Sequence, residues 1–388
     1  MAPRNPFTPS FGVSPPLLVG RAGLIEEFGE GLDDGPGAPG RATLFTGPRG
    51  MGKTVMLNAT EHEARRRGWL VISESATKGL LDRMVTEHLP GLLRQVDPRT
   101  TGRRATAASV GGLGSVGWEH TDAHPVASGL RNQINRLTDL LTANETGLLI
   151  TVDELHRGRL DDLTEICSVI QHSFREERQV AFAGAGLPAA VRDLLNEDPL
   201  TFLIRADRHV LGAVSLRDVA DALRLPIETS GRTITNGALA RAASSTAGYP
   251  FLIQLVGYHL WRQHPSAVSI SRSDADAGMA AAARRIGSLV YEPALKDTSA
   301  VDRSFLVAMA LDDGPSRMAD IAERLGTDGN YAGQYRIRLL QHELIHSPWR
   351  GFVDFSLPYL REYLRDHAAS LVSAALPLTP TPAGVEAP

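Results

Sequence analysis

The run Gly47-Pro48-Arg49-Gly50-Met51-Gly52-Lys53-Thr54 has the spacing G-x-x-x-x-G-K-[ST], and its residue types are those that bind phosphate. Successive backbone N–H groups of such a loop point inward. The positive end of the helix that follows adds to the attraction for an anion. Glycines let the backbone close on the oxygens, because side chains would block the approach. Lys53 can reach the β- and γ-phosphates, and the Thr54 hydroxyl can ligate Mg²⁺. Arg49 either touches phosphate or faces solvent.

A phosphate loop leaves the metal and the attacking water unattended. The apolar run Gly147-Leu148-Leu149-Ile150-Thr151-Val152 ends in Asp153-Glu154 and supplies two carboxylates. Asp153 at the strand end can hold Mg²⁺, directly or through water. Glu154 can orient the water and take its proton. One charge serves the metal and the other serves the nucleophile. His156, just beyond, reads either as a γ-phosphate sensor or as a helix-start histidine without a catalytic role.

These residues need particular elements beneath them. Ala42-Thr43-Leu44-Phe45-Thr46 reads as a buried strand leading into the loop, and a helical pattern follows to Ala64. Trp69-Leu70-Val71-Ile72-Ser73 is a second strand, with a helix over 81–93. A helix over 128–143 leads to the Asp153 strand. Strands over 180–183 and 208–211 follow. Strands alternating with helices predict an α/β fold with a parallel sheet sandwiched between helices. Both motifs then lie at carboxyl ends of strands, where ligands bind in open α/β sheets. Residues 97–125 interrupt this pattern with a Gly-rich, loosely alternating stretch. It reads as a β-hairpin insertion or loop that contacts a partner, or as a surface insertion without function.

From Ser215 the pattern turns helical. Ser215 is placed to cap a helix through Leu223, and helices over 235–247, 250–263 and 274–289 follow. They make a lid at 215–295, with Mg-ATP between core and lid. Residues 300–366 read as helices over 301–311, 318–325 and 331–344 and a strand over 351–355, with Ser316 capping the second helix. Helix, helix-turn-helix and hairpin suggest a winged helix. That segment carries eight Arg and ten Asp or Glu, a balance of −2, which is a weak signal for DNA because phosphate neutralisation dominates DNA affinity. Asn330, Gln334, Arg336 and Arg338 on its candidate recognition helix could reach bases or phosphates. DNA and protein partners both remain open here. Residues 1–18 read as a Pro-rich arm, either loose or closing over the base with Phe7 or Phe11. Residues 370–388 read as a disordered tail.

The chain resembles P-loop ATPases with an AAA-type core, in particular origin-recognition-like AAA domains with a C-terminal winged helix, and the related STAND switches. Val19-Gly20-Arg21 with Glu26 is similar to the box that opens those domains. The resemblance implies that Gly20 and Arg21 lie against adenine and ribose. Thr246-Ala247-Gly248-Tyr249-Pro250 is similar to the GxP signature of the STAND lid, which implies a nucleotide contact at Pro250. Phe182-Ala183-Gly184-Ala185-Gly186 falls at sensor 1 but offers only backbone there. No sensor-2 arginine is evident. Both departures point to slow hydrolysis and a switch. Arg205, and less so Arg208, stand where such a core carries an arginine finger that acts on a neighbour's nucleotide, or they are ordinary surface arginines. The resemblance implies ATP and ADP as ligands, Mg²⁺ as cofactor and nucleotide-dependent homo-oligomers.

Composition agrees with a globular protein of two or three domains: 388 residues, 43% hydrophobic, 22% charged, formal net charge −4. That charge gives no global signal for nucleic acid. The single Cys167 excludes an internal disulfide and a cysteine-based zinc site, and its apolar helical surroundings suggest a structural thiol. No run of 18 apolar residues and no apolar leader are evident, so the expectation is a cytoplasmic protein without a membrane segment.

Overall fold

Five strands form one parallel sheet. They are β1 (Ala42–Thr46), β2 (Leu70–Ser75), β3 (Leu148–Asp153), β4 (Val180–Gly186) and β5 (Asp207–Val210), in the spatial order β2-β3-β4-β1-β5. The structure, a computed structural model, describes residues 4–10, 12–97, 129–155, 160–196, 203–296 and 298–372. The 98–125 part of the expected insertion, Phe11, His156 and the tail from 373 lie outside the described residues. The chain divides into two compact units. The first comprises the described residues of Ser10–Gly47 and Met51–Gly212, and the second those of Met1–Pro9, Pro48–Gly50 and Ala213–Pro388. Among the described residues no helix is long and apolar enough to cross a membrane.

The first unit holds the sheet. Its helices are α1 (Ala22–Asp33), α2 (Lys53–Arg66), α3 (Leu80–Arg83), α4 (Leu89–Val96), α5 (Leu130–Thr142), α6 (Leu160–Arg175) and α7 (Pro188–Leu195). β4 is buried along its whole length and β3 up to Asp153, as strands covered on both faces must be. Leu44, Phe45, Ile150 and Phe182 are each 1% exposed or less and form the centre of the unit. β4 lies between β1 and β3, pairing Leu44 with Gly184 on one side and Ile150 with Phe182 on the other. One strand therefore separates the loop strand from the acid strand.

The helix expected over 81–93 is instead α3, a wide π turn at Met84–His88, and α4. Pro90 explains the irregularity, since it brings no N–H to the helical ladder and the chain widens just before it. Cys167 lies in α6 at 2% exposure, and burial pushes its thiol up to about 12, as a structural thiol requires.

The second unit begins with α8 (Leu216–Thr229), β6 (Thr233–Ile234), α9 (Asn236–Ser244), α10 (Pro250–Arg262), β7 (Ser269–Ile270) and α11 (Arg272–Ile286). Ser215, Thr235 and Ser271 accept N-cap hydrogen bonds from the amides of Asp218, Ala238 and Asp274. α8 continues past the expected end at Leu223, with Pro226 inside it. Pro226 is buried beside Leu223 and Ile227, and that packing outweighs the missing ladder bond. The arm folds onto α10. Asn5 donates to the Tyr258 carbonyl, and Phe7 is 2% exposed, against Gly257. A ring so buried has no face left for a base, so the stacking expected of Phe7 is corrected.

A π turn at Gly287–Tyr291 and α12 (Glu292–Lys296) lead to the last module. It runs α13 (Ala300–Ala310), β8 (Ser316–Arg317), α14 (Met318–Arg324), α15 (Gly329–Gln341), β9 (Ile345–His346), β10 (Phe352–Phe355) and α16 (Leu360–Val372). The strands form a small antiparallel sheet with β10 in the middle. Ser316 does not cap α14. It belongs to β8, and its hydroxyl donates to the Met309 carbonyl.

Candidate functional site

The site grows from the carboxyl ends of β1 and β3. β1 ends at Thr46, and α2 starts at Lys53. Gly52 caps α2 with φ 86°, a left-handed conformation that glycine adopts without strain, and no side chain caps the helix. The first turn therefore presents backbone N–H groups and the positive end of the helix dipole. The Lys53 ammonium reaches back across the loop and donates to the Gly47 carbonyl at 2.6 Å.

β3 brings the acids. The Thr54 hydroxyl donates to Asp153 Oδ2 at 2.6 Å. The Glu154 amide donates to Asp153 Oδ1 at 2.7 Å, which orients the carboxylate from its other side. Glu154 itself is exposed and has φ 56°, a strained value for a residue with a side chain. Beyond that turn the chain stays against β4, where the Leu155 amide donates to the Ala185 carbonyl at 2.8 Å. α2 and β3 are also joined below the site, where the buried Thr151 hydroxyl donates to Glu61 Oε1 at 2.7 Å. Thr54 and Asp153 thus stand on two elements locked together by a buried polar bond.

A cavity of about 480 Å³ adjoins the pair, lined among others by Thr54, Glu61, Glu74, Ser75, Arg83 and Asp153. Ser75 is the register partner of Asp153, so β2 ends level with the acid. Arg83 donates twice to Glu74, at 2.7 and 2.9 Å, and His88 Nε2 lies 2.7 Å from the same carboxylate. These partners, Arg83 first, hold the Glu74 carboxyl below the usual carboxylate range. This cluster was missed from sequence. The expected strand stopped at Ser73, whereas β2 continues to Ser75 and carries Glu74 into the cavity wall. The alignment of two strand ends was the available signal.

The remaining predicted residues lie as follows. Gly20 has φ 67°. Arg21 is 9% exposed and donates to the carbonyls of Met51 at 2.5 Å and Gly212 at 3.0 Å. Burial lowers its pKa. Its guanidinium therefore braces the loop backbone from beneath. Met51 is buried, Pro48 half-buried and Arg49 exposed. Arg205 and Arg208 are exposed around the start of the edge strand β5. At the sensor-1 position, β4 has no room for side chains. A Cβ on Gly184 would meet Leu155 at 2.7 Å, and one on Gly186 would meet Val191 at 2.8 Å. Pro250 lies in the second unit, at the first turn of α10.

The Thr54 hydroxyl and Asp153 carboxylate are hard oxygen donors in contact with each other. Mg²⁺ takes such donors one or two at a time and fills its shell with phosphate and water, so the pair fits that ion. A loop of turned-in amides, an ammonium, a metal pair and a neighbouring carboxylate can cleave a phosphoanhydride.

Residues 17–182 match the AAA ATPase domain family. Residues 288–364 match a domain of unknown function (DUF8462). No curated protein matches the chain. Among solved structures, the Walker-type ATPase PABY2304 of Pyrococcus abyssi is similar at TM-score 0.62 and 15% identity, over 90% of this chain and 96% of that one. The Orc1 protein of Aeropyrum pernix, solved in complex with DNA, gives TM-score 0.44 and 16% identity over 93% and 96%. A RuvB variant of Thermotoga maritima gives 0.46 and 15% over 89% and 95%. At these identities the first shows the fold, and the lower scores add nothing to it.

Proposed function

We propose, from the match of residues 17–182 to the AAA ATPase domain family, that the protein binds Mg-ATP at residues 47–54 and hydrolyses it slowly, as a switch. The observation that carries this is the 2.6 Å bond from Thr54 to Asp153, which joins the phosphate loop to the acid strand. Amides of the loop bind the phosphate oxygens, and Lys53 neutralises charge on the β- and γ-phosphates. Thr54 and Asp153 hold Mg²⁺, which supplies further charge neutralisation when bound. Glu154, one residue past the metal pair and exposed, orients a water and takes its proton. Gly20 and Arg21 are read as the nucleoside side of the site. Arg205 acts on the nucleotide of a second copy in a homo-oligomer. The slow rate is supported by the sensor-1 segment, where β4 glycines pack against Leu155 and leave no polar group.

The output is the C-terminal module, read as a winged helix. The arrangement of α13, α14 and α15 with a three-stranded antiparallel sheet supports that reading. Two partners differ in what they require. Duplex DNA needs free cations on the recognition helix α15. Yet Arg338 is bound to the buried Asp302 at 2.7 Å, and Arg336 donates to Ser347 at 2.7 Å. Tyr331, Ile337 and Trp349 are exposed on α15 and the wing, at 42%, 56% and 55%. These features favour a protein partner over DNA. The test is phosphate release from ATP, with Mg²⁺ or with chelator, and with or without duplex DNA at two salt concentrations. The reading expects Mg²⁺-dependent release that DNA leaves unchanged. Stimulation by DNA that fades with salt would restore the DNA-associated reading, and release insensitive to chelator would reject the metal site.

A further inference from the structure

Tyr249 is 1% exposed and stands one residue before the first turn of α10. Its hydroxyl donates to the carbonyl of Arg49 at 3.0 Å. Arg49, with Pro48 and Gly50, forms the tip of the phosphate loop that belongs to the same unit as Tyr249. The approach is close. A Cβ on Gly50 would stand 1.9 Å from the phenol oxygen, and Gly50 has φ +77°. Only glycine leaves the ring its place there.

The ring is fixed from behind. Gly248 has φ +70°, and a Cβ on it would meet the Val214 carbonyl at 2.2 Å. Val214 donates to the Gly248 carbonyl at 2.8 Å, and the Tyr249 amide donates to Thr246 at 2.9 Å. Burial raises the phenol's pKa well above its ordinary value, so the hydroxyl remains a donor at any working pH.

A trans peptide sets the carbonyl of one residue and the N–H of the next on opposite sides of its plane. Holding the Arg49 carbonyl therefore fixes the Gly50 N–H. We propose that Tyr249 is a positioning residue of the phosphate loop: its hydroxyl turns the Arg49–Gly50 peptide so that the Gly50 N–H is offered to the nucleotide phosphates. This rests on the reading of residues 47–54 as a nucleotide site. By linkage, phosphates that use this N–H strengthen the Tyr249 bond, and the bond strengthens phosphate binding to the same degree.

The test compares the full-length chain with Tyr249→Phe and Lys53→Ala. ADP and ATP affinities are measured by calorimetry. Hydrogen exchange of the nucleotide-free protein is followed in peptides covering residues 47–54 and in α10 and α11. Tyr249→Phe keeps the ring and loses only the hydroxyl. The expected result is a roughly fivefold loss of affinity for both nucleotides, the size of one hydrogen bond. Exchange should quicken in the loop and stay unchanged in α10 and α11. Wild-type affinity in Tyr249→Phe overturns the proposal, even if loop exchange rises. Faster exchange throughout α10 and α11 also overturns it, because the hydroxyl would then be supporting the fold. Lys53→Ala separates the two layers. If the wild type binds nucleotide and Lys53→Ala does not, the loop reading stands whatever Tyr249→Phe does. If the wild type binds none, the loop reading falls, and the proposal with it.

Discussion

Thr54 and Asp153 are 99 residues apart in the chain and 2.6 Å apart at their oxygens. Replacing Asp153 by Asn keeps the shape and an acceptor for the Thr54 hydroxyl but removes the charge that a metal needs. Mg²⁺ should tighten ATP binding to the wild type and leave the affinity of Asp153→Asn nearly unchanged, as read by titration with and without the metal. A variant that retains the full Mg²⁺ effect would remove Asp153 from the metal site. The loop itself was legible because its spacing is local and its chemistry is carried by backbone and one lysine. A resemblance gave Arg21 a place against adenine and ribose, but it carried no sign of the bonds from its guanidinium to the carbonyls of Met51 and Gly212. Tyr249 was not legible in this role. Its acceptor is a backbone carbonyl 200 residues away, and such a bond leaves no mark in sequence.

Strand ends and helix caps set where these residues can stand. Glu74 at the end of β2 is held below the usual carboxylate range by Arg83 and then His88. A carboxyl depressed in the fold stabilises it above the unfolded pKa, and that contribution is lost as pH falls through the folded value. Glu74→Gln should therefore be less stable than the wild type near about pH 7, and the gap should close toward roughly pH 3. Urea unfolding at several pH values measures this, and a gap that is constant with pH would contradict it. In the last module, Arg338 binds Asp302, which is 1% exposed and completes the capping box of α13. Arg338→Ala should cost that module about 1–2 kcal/mol in thermal or chemical unfolding, since it leaves a buried carboxylate short of a partner. No loss of stability would free Arg338 for a role on a ligand. The cap at Ser215 and the parallel sheet were readable, because a hydroxyl residue before an apolar period and alternating strands are local signals. The π turn before Pro90 and the run of α8 through Pro226 were not, because tertiary packing decides how a helix tolerates proline.

At the scale of the whole chain, a segment matching the AAA ATPase domain family at residues 17–182 precedes a helical segment and a module matching a family of unknown function at residues 288–364. Strand–helix alternation gives way to helices near Ser215, and the chain passes from one compact unit to the other between Gly212 and Ala213. The partner was not readable, because it depends on which side chains of α15 are spent inside the module, and that is a matter of packing. Arg336 and Arg338 look like free cations in sequence and are bonded in the fold. In the proposed chemistry, hydrolysis depends on Glu154 beside the Thr54–Asp153 pair. The most direct measurement is ATP turnover by the wild type and by Glu154→Gln in Mg²⁺, with ATP affinity measured on the same samples. Turnover is expected to fall by about a hundredfold or more in the variant while affinity is retained. Equal turnover in the two proteins would contradict it.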